Sequence, residues 1–327
     1  MYTLSQLKRA VETPNLLFRE VNRLYHTRAN SSYNRNGIDI FAEDWDNLLI
    51  LDACRYDMFR DQHTLPGRLE SRISQASHTS EFLKSNFAGR DLRDTVYVTA
   101  SPMYYRNKDD LNARFHDVVE VWKEGGWHGS YRTVMPETMV EFAEAAAERY
   151  PDKRLIVHFL QPHYPFVGPT GVEHFDLDDL AFEWDGAFED DFAFSDELLW
   201  QAFCENLDVA LPHVEELMHA LPGRTVVSAD HGQMIGERSR PLPSKEYGHP
   251  PGTYTKQLTK VPWLVFENGQ RKEIRHGESK GVQSDHTAED DETTESPVDV
   301  MPASEPDDGD ADDEDLVKDR LESLGYL

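Results

Sequence analysis

An aspartate and a histidine stand side by side in Ser228-Ala229-Asp230-His231-Gly232, a stretch that follows straight after the apolar run Arg224-Thr225-Val226-Val227. A carboxylate and an imidazole placed where a buried strand ends and a glycine lets the chain turn make a natural metal-ligand pair. Asp52 closes a second such run, Asn47-Leu48-Leu49-Ile50-Leu51. The hydroxyls of Ser77, Thr79 and Ser80 precede an apolar-periodic stretch with Phe82, Leu83 and Phe87, so Thr79 or Ser80 opens a helix. Two Asp, one His and one hydroxyl form a mixed oxygen and nitrogen shell. It suits one or two ions of Zn²⁺, Mn²⁺ or Mg²⁺, and Ca²⁺ if further oxygens join. A hydroxyl bound to such an ion sheds its proton more easily and becomes a nucleophile near neutral pH. Attack on phosphorus or sulfur builds charge on non-bridging oxygens. His163, His249, Lys245 and Arg55 are candidates to meet it, together with the N–H groups at a helix start.

Each residue type also has a purely structural use. Asp52 is a good helix cap, and so is a Ser or Thr at a helix start. His158 lies inside the apolar run Arg154 to Leu160 and reads as a core or sheet histidine.

The elements that must position these groups alternate between strand and helix. Strands are expected near residues 48–52, 69–74, 95–100, 154–160, 225–228 and 261–266. Helices are expected after Asp52, from Thr79, over residues 136–150 and over 195–221 with a bend near Pro212. The fold class is therefore α/β, with a mostly parallel central sheet and helices on both faces. In such sheets ligands gather beyond the carboxyl ends of the strands, where Asp52, His163, Asp230 and His231 all fall. Residues 1–44 read as an N-terminal helical extension, 45–270 as the catalytic domain, 271–315 as an acidic disordered linker and 316–327 as a short helix that docks back through Leu316, Val317, Leu321 and Leu324. The acidic, aromatic stretch from Phe175 to Phe194 reads as a solvated lid or insertion, and residues 237–251 as a loop rich in Gly and Pro.

With 61 acidic against 33 basic residues the net charge is −28, which argues against a nucleic-acid surface. Only 11 of the 33 bases are lysine, a balance that suits a protein hydrated in high salt, where screening relieves self-repulsion. Two cysteines, Cys54 and Cys204, make no disulfide framework and point to a reducing, cytoplasmic compartment. Neither a signal peptide nor a membrane span is expected. Oligomeric state is not readable.

Taken together, strand-Asp52, the hydroxyl at a helix start, Pro162-His163-Tyr164-Pro165, Asp230-His231-Gly232 with Gly236-Glu237, Tyr247-Gly248-His249 and Lys260-Val261-Pro262-Trp263-Leu264-Val265 resemble the ordered motifs of the alkaline phosphatase superfamily, sulfatase-like branch, in a haloarchaeal-type member. The ending Arg320-Leu321-Glu322-Ser323-Leu324-Gly325-Tyr326 resembles sulfatase C-termini. The resemblance implies that Asp52, Asp230 and His231 bind a divalent metal with Thr79 as the bridging nucleophile. It also implies that His163 and His249 contact the ester oxyanion or hold a second ion, with Lys245 a weaker candidate. The expected activity is hydrolysis of a phosphate or sulfate ester, or phospho-group transfer, on an anionic small-molecule or glycan substrate. A sugar-phosphate mutase and a non-catalytic binder of anionic glycan or lipid precursors are the alternatives. No Cys or Ser followed by x-Pro-x-Arg lies near Thr79, and Ala53 replaces the second Asp that sulfatases usually carry. Both departures favour phosphate chemistry.

Overall fold

The structure is a computed structural model that describes residues 14–27, 33–175, 194–277 and 310–326. In chain order its elements are α1 (Pro14–His26), β1 (Asn47–Leu51), α2 (Tyr56–Gln62), β2 (Arg68–Ile73), α3 (Thr79–Phe87), β3 (Asp91–Thr99), α4 (Met103–Leu111) and β4 (Arg114–Glu120). A small ribbon of β5 (Trp127–His128) and β6 (Thr133–Val134) follows, then α5 (Pro136–Arg149), β7 (Arg154–Phe159), α6 (Pro169–His174) and α7 (Asp196–Ala220). The chain continues with β8 (Gly223–Ala229), the hairpin of β9 (Met234–Arg238) and β10 (Lys245–Gly248), α8 (Lys256–Thr259), β11 (Lys260–Asn268) and α9 (Asp310–Ser323).

Seven strands form one sheet in the order β2-β11-β8-β1-β7-β3-β4. Only β11 runs against its neighbours, so the sheet is mostly parallel, and helices flank it. The central strand β1 is buried along its whole length, as expected for a parallel strand covered on both faces. The edge strand β4 is charged and half-buried, and its mixed pattern hides it from a reading by hydrophobicity. The Gly- and Pro-rich stretch expected as a loop at residues 237–251 instead holds the end of β9 and the whole of β10.

Three expectations about helix ends resolve physically. Pro14, which the sequence reading took as an interruption of helical spacing over residues 3–26, stands at the first position of α1, where proline is tolerated, and the residues before it lie outside the described ones. The 25-residue α7 carries Pro212 in its interior, and Ser195 caps it by accepting the Leu198 N–H at 3.1 Å. Helix α9 starts earlier than residue 316, and Val317, Leu321 and Leu324 are buried against the domain. Residues 271–277 also pack onto the domain: Arg271 pairs with Asp44 and Asp46, and the buried Lys153 ammonium donates to the carbonyls of Arg275 and Gly277 at 2.7 and 2.8 Å. Residues 3–13, the acidic stretch over 176–193 and most of the expected linker lie outside the described residues.

Candidate active site

Strand register explains why distant residues meet. Ile50 of β1 pairs with His158 of β7 on one side and with Ser228 of β8 on the other. Side chains alternate faces along a strand, so Asp52 and Asp230, each two residues further on, share a sheet face with His158. Ligand atoms of Asp52, His158 and Asp230 lie within 4.8 Å of one another, and all three residues are buried. The core histidine of the sequence reading thus stands beside the acidic pair. Its Nδ1 is tied to the Tyr97 hydroxyl at 2.9 Å, which leaves Nε2 at 3.7 Å from Asp230 Oδ2.

The other groups arrive at the same point. His231 Nε2 lies 3.3 Å from Asp230 Oδ2, 3.5 Å from Asp52 Oδ1 and 3.1 Å from Thr79 Oγ1. The chain passes Gly232 tightly: a Cβ there would meet the Gln257 carbonyl oxygen at 2.0 Å, so only glycine fits. Asp52 does not cap a helix, because Arg55 holds the N-cap position of α2. Nor does Thr79 cap α3. His78 takes that position, its Nδ1 accepting the Ser80 N–H at 3.1 Å, which frees the Thr79 hydroxyl.

This donor set fits a cation. Asp230 Oδ1 is satisfied by the backbone N–H groups of Ala53 and His231, at 3.1 and 2.8 Å. Asp230 Oδ2 and Asp52 Oδ1 are buried with no hydrogen-bond partner among the described residues. The His231 Nδ1–H is directed to the Gly232 carbonyl at 2.8 Å, which turns the Nε2 lone pair toward those two oxygens. Three lone-pair atoms facing one another out of water call for positive charge between them. In its absence, burial and then the Asp230 charge hold the Asp52 carboxyl well above the usual carboxylate range.

More imidazoles ring Thr79. His163 Nδ1–H donates to the Tyr164 carbonyl at 2.6 Å, and its Nε2 faces His249 Nε2 at 2.9 Å, so one proton is shared between two rings. His249 Nδ1 has no partner among the described residues. Burial pushes His163 down to about 4 and His78 to about 3, and pushes His249 well below its ordinary value, which keeps all three neutral at pH 7. The Tyr326 ring stacks on His163 with centroids 5.0 Å apart and rings inclined by 16°.

Two expected substrate contacts are engaged by other partners. The buried Arg55 guanidinium is held by Asp57, Glu237 and the Gln233 carbonyl and lies over the Trp200 ring, so its charge is already matched. Lys245 is exposed and pairs with Asp196 at 3.3 Å, outside the cluster. Sequence reasoning passed over His78 and the contact of Tyr326 with the site. Ser77 Oγ donates to Glu81 at 2.9 Å, and Ser80 Oγ accepts from Asn107 at 3.4 Å, which leaves Thr79 as the hydroxyl in the cluster. Among the described residues no helix is long and apolar enough to cross a membrane.

No protein-family model matches the chain, and no curated protein does. Among solved structures, the chain is similar to the C-terminal periplasmic domain of EptC from Escherichia coli in complex with zinc, at 13% identity and a TM-score of 0.44, covering 71% of this chain and 76% of that one. It is similar to the integral membrane lipooligosaccharide phosphoethanolamine transferase EptA from Neisseria meningitidis, at 13% identity and a TM-score of 0.44, covering 81% of this chain and 55% of that one. A protein in the alkaline phosphatase superfamily from Vibrio parahaemolyticus is similar at 13% identity and a TM-score of 0.39, covering 78% of this chain and 71% of that one. Likenesses this distant carry nothing about the chemistry of the cluster.

Proposed function

We propose that this chain is a metal-dependent hydrolase or phospho-group transferase of phosphate or sulfate esters, with Thr79 as the nucleophile. One observation carries the reading: the Thr79 hydroxyl, free of capping duty, is held 3.1 Å from His231 Nε2, beside two buried carboxylate oxygens that have no hydrogen-bond partner among the described residues. Asp52, Asp230, His231 and Thr79 would hold a divalent cation, with His158 next to them. Such an ion supplies Lewis-acid charge that makes the hydroxyl more acidic and offsets charge on the transferred group. Thr79 Oγ1, its proton given up to solvent, attacks the phosphorus or sulfur, its bond to that atom forms, and the bond to the leaving oxygen breaks. Water or an acceptor hydroxyl then releases the group from Thr79. The one Nε2 proton that the neutral pair His163 and His249 shares would be turned to a non-bridging oxygen or to the departing one.

The motif order from Asp52 to Val265 supports the same superfamily, and the missing x-Pro-x-Arg element favours phosphate over sulfate. The two free buried thiols fit a reducing compartment such as the cytoplasm. Release of product from aryl phosphate, phosphodiester and sulfate esters, with Zn²⁺, Mn²⁺, Mg²⁺ or Ca²⁺ added, tests the assignment. Turnover that needs one of these ions and vanishes in Thr79→Ala and Asp230→Ala is expected. Turnover that survives both substitutions refutes it.

A further inference from the structure

Tyr326 lies 274 residues from Asp52 in sequence, yet its hydroxyl donates to Asp52 Oδ2 at 2.5 Å and stands 3.4 Å from Thr79 Oγ1. The approach is built. Helix α9 ends in a turn where the Gly325 N–H bonds the Glu322 carbonyl at 3.0 Å and the Tyr326 N–H bonds the Leu321 carbonyl at 2.9 Å. Gly325 takes a φ of +71°, which L side chains rarely adopt, and this reversal sends the Tyr326 ring inward. Leu321 and Leu324 are buried, and the Arg320 guanidinium lies 4.3 Å over the Trp127 ring. Inside the site the tyrosine stacks on His163 and sits edge-on to His78, with centroids 6.0 Å apart.

The two oxygens of Asp52 therefore have different surroundings. Oδ2 receives the phenol, while Oδ1 has no hydrogen-bond partner among the described residues and faces His231 Nε2. Carboxylates that ligate metals are themselves oriented by hydrogen bonds on the oxygen that does not ligate, and loss of such a bond costs about 10–100-fold in metal affinity or activity. We infer that Tyr326 is a positioning residue for the Asp52 carboxylate, so that the segment from α9 to Tyr326 is an integral wall of the metal site and the site is incomplete without it. The inference rests on the metal reading above and assigns the tail a role in it.

Mn²⁺ titration of the full chain, read by calorimetry, separates the two. The wild type is expected to bind Mn²⁺ and Asp230→Asn to lose it. Tyr326→Phe keeps the stacked ring and removes the hydroxyl, and it should weaken Mn²⁺ about 10–100-fold while the far-ultraviolet circular dichroism spectrum of the metal-free protein stays that of wild type. Turnover at saturating Mn²⁺ should recover toward wild type in this variant, which a general loss of structure would not allow. Wild-type protein that binds no divalent ion overturns the metal reading and this inference with it. Wild-type binding that Tyr326→Phe matches overturns this inference alone. Tighter binding or faster turnover in Tyr326→Phe overturns it as well, and shows the phenol to be an occupant of substrate space.

Discussion

Thr79 Oγ1 and His231 Nε2 stand 3.1 Å apart although 152 residues separate them in the chain. The contact joins the first turn of a helix to the end of a buried strand, and it singles out one hydroxyl among three neighbours. Thr79→Ala should lower kcat by about 10³-fold or more, as expected for loss of a nucleophile. Ser80→Ala should turn over like wild type. Steady-state kinetics on an aryl phosphate decides it, and full activity in Thr79→Ala moves the chemistry to another hydroxyl.

The acidic pair makes a prediction about stability. Without a cation, burial and then the neighbouring Asp230 charge oppose ionisation of the Asp52 carboxyl. Asp52→Asn removes that opposition and keeps an acceptor for Tyr326. In a chelating buffer its melting temperature should equal or exceed that of wild type, while the rise on adding Mn²⁺ seen in wild type should disappear. A metal-induced rise of equal size in both proteins contradicts the ligand assignment.

His163 and His249 share one proton across 2.9 Å, and burial keeps both rings neutral at pH 7. Groups aimed at developing negative charge are worth about 10²–10³ in kcat. His249→Ala should lose that factor and leave Mn²⁺ affinity near wild type. Loss of Mn²⁺ binding in this variant would instead make the pair metal ligands.

Far from the site, burial pushes the Lys272 ammonium from 10.5 down to about 8, with the Asp46 carboxylate acting the other way. Between those values the unfolded chain holds a proton that the folded chain has released, so stability from this group rises with pH across the window. Its unfavourable contribution is complete below about pH 8 and fades toward pH 10.5. Lys272→Met should flatten the curve of urea unfolding free energy between pH 8 and pH 10. An unchanged slope would count against the assignment.

How far sequence could anticipate this arrangement depends on the element. Asp52, Asp230 and His231 were legible because carboxylates and imidazoles directly after apolar runs mark strand ends, and Thr79 because a helix start is visible in its apolar period. His158 was not, since inside an apolar run a histidine looks like core. Only its pairing opposite Ile50 shows that it shares a face with the aspartates. His78 escaped notice because caps are usually Ser, Thr, Asp or Asn. Charge at Arg55 and Lys245 was plain, but the partners that claim it, Asp57, Glu237 and Asp196, are set by tertiary packing. The leucines on which the reading of a final docking helix rested, Leu321 and Leu324, are buried. The insertion of Tyr326 was not legible, because no local pattern reports where a turn will aim a ring.

The strand order has a consequence for how the molecule comes into being. Asn47 of β1 sits opposite Thr225 of β8, 178 residues later. A ribosome that has finished β1 must therefore emit most of the protein before that strand gains its second neighbour, and pairings of such long sequence separation form slowly. During that interval a strand whose last four residues are apolar has an open flank, the kind of surface to which chaperones bind and through which nascent chains associate.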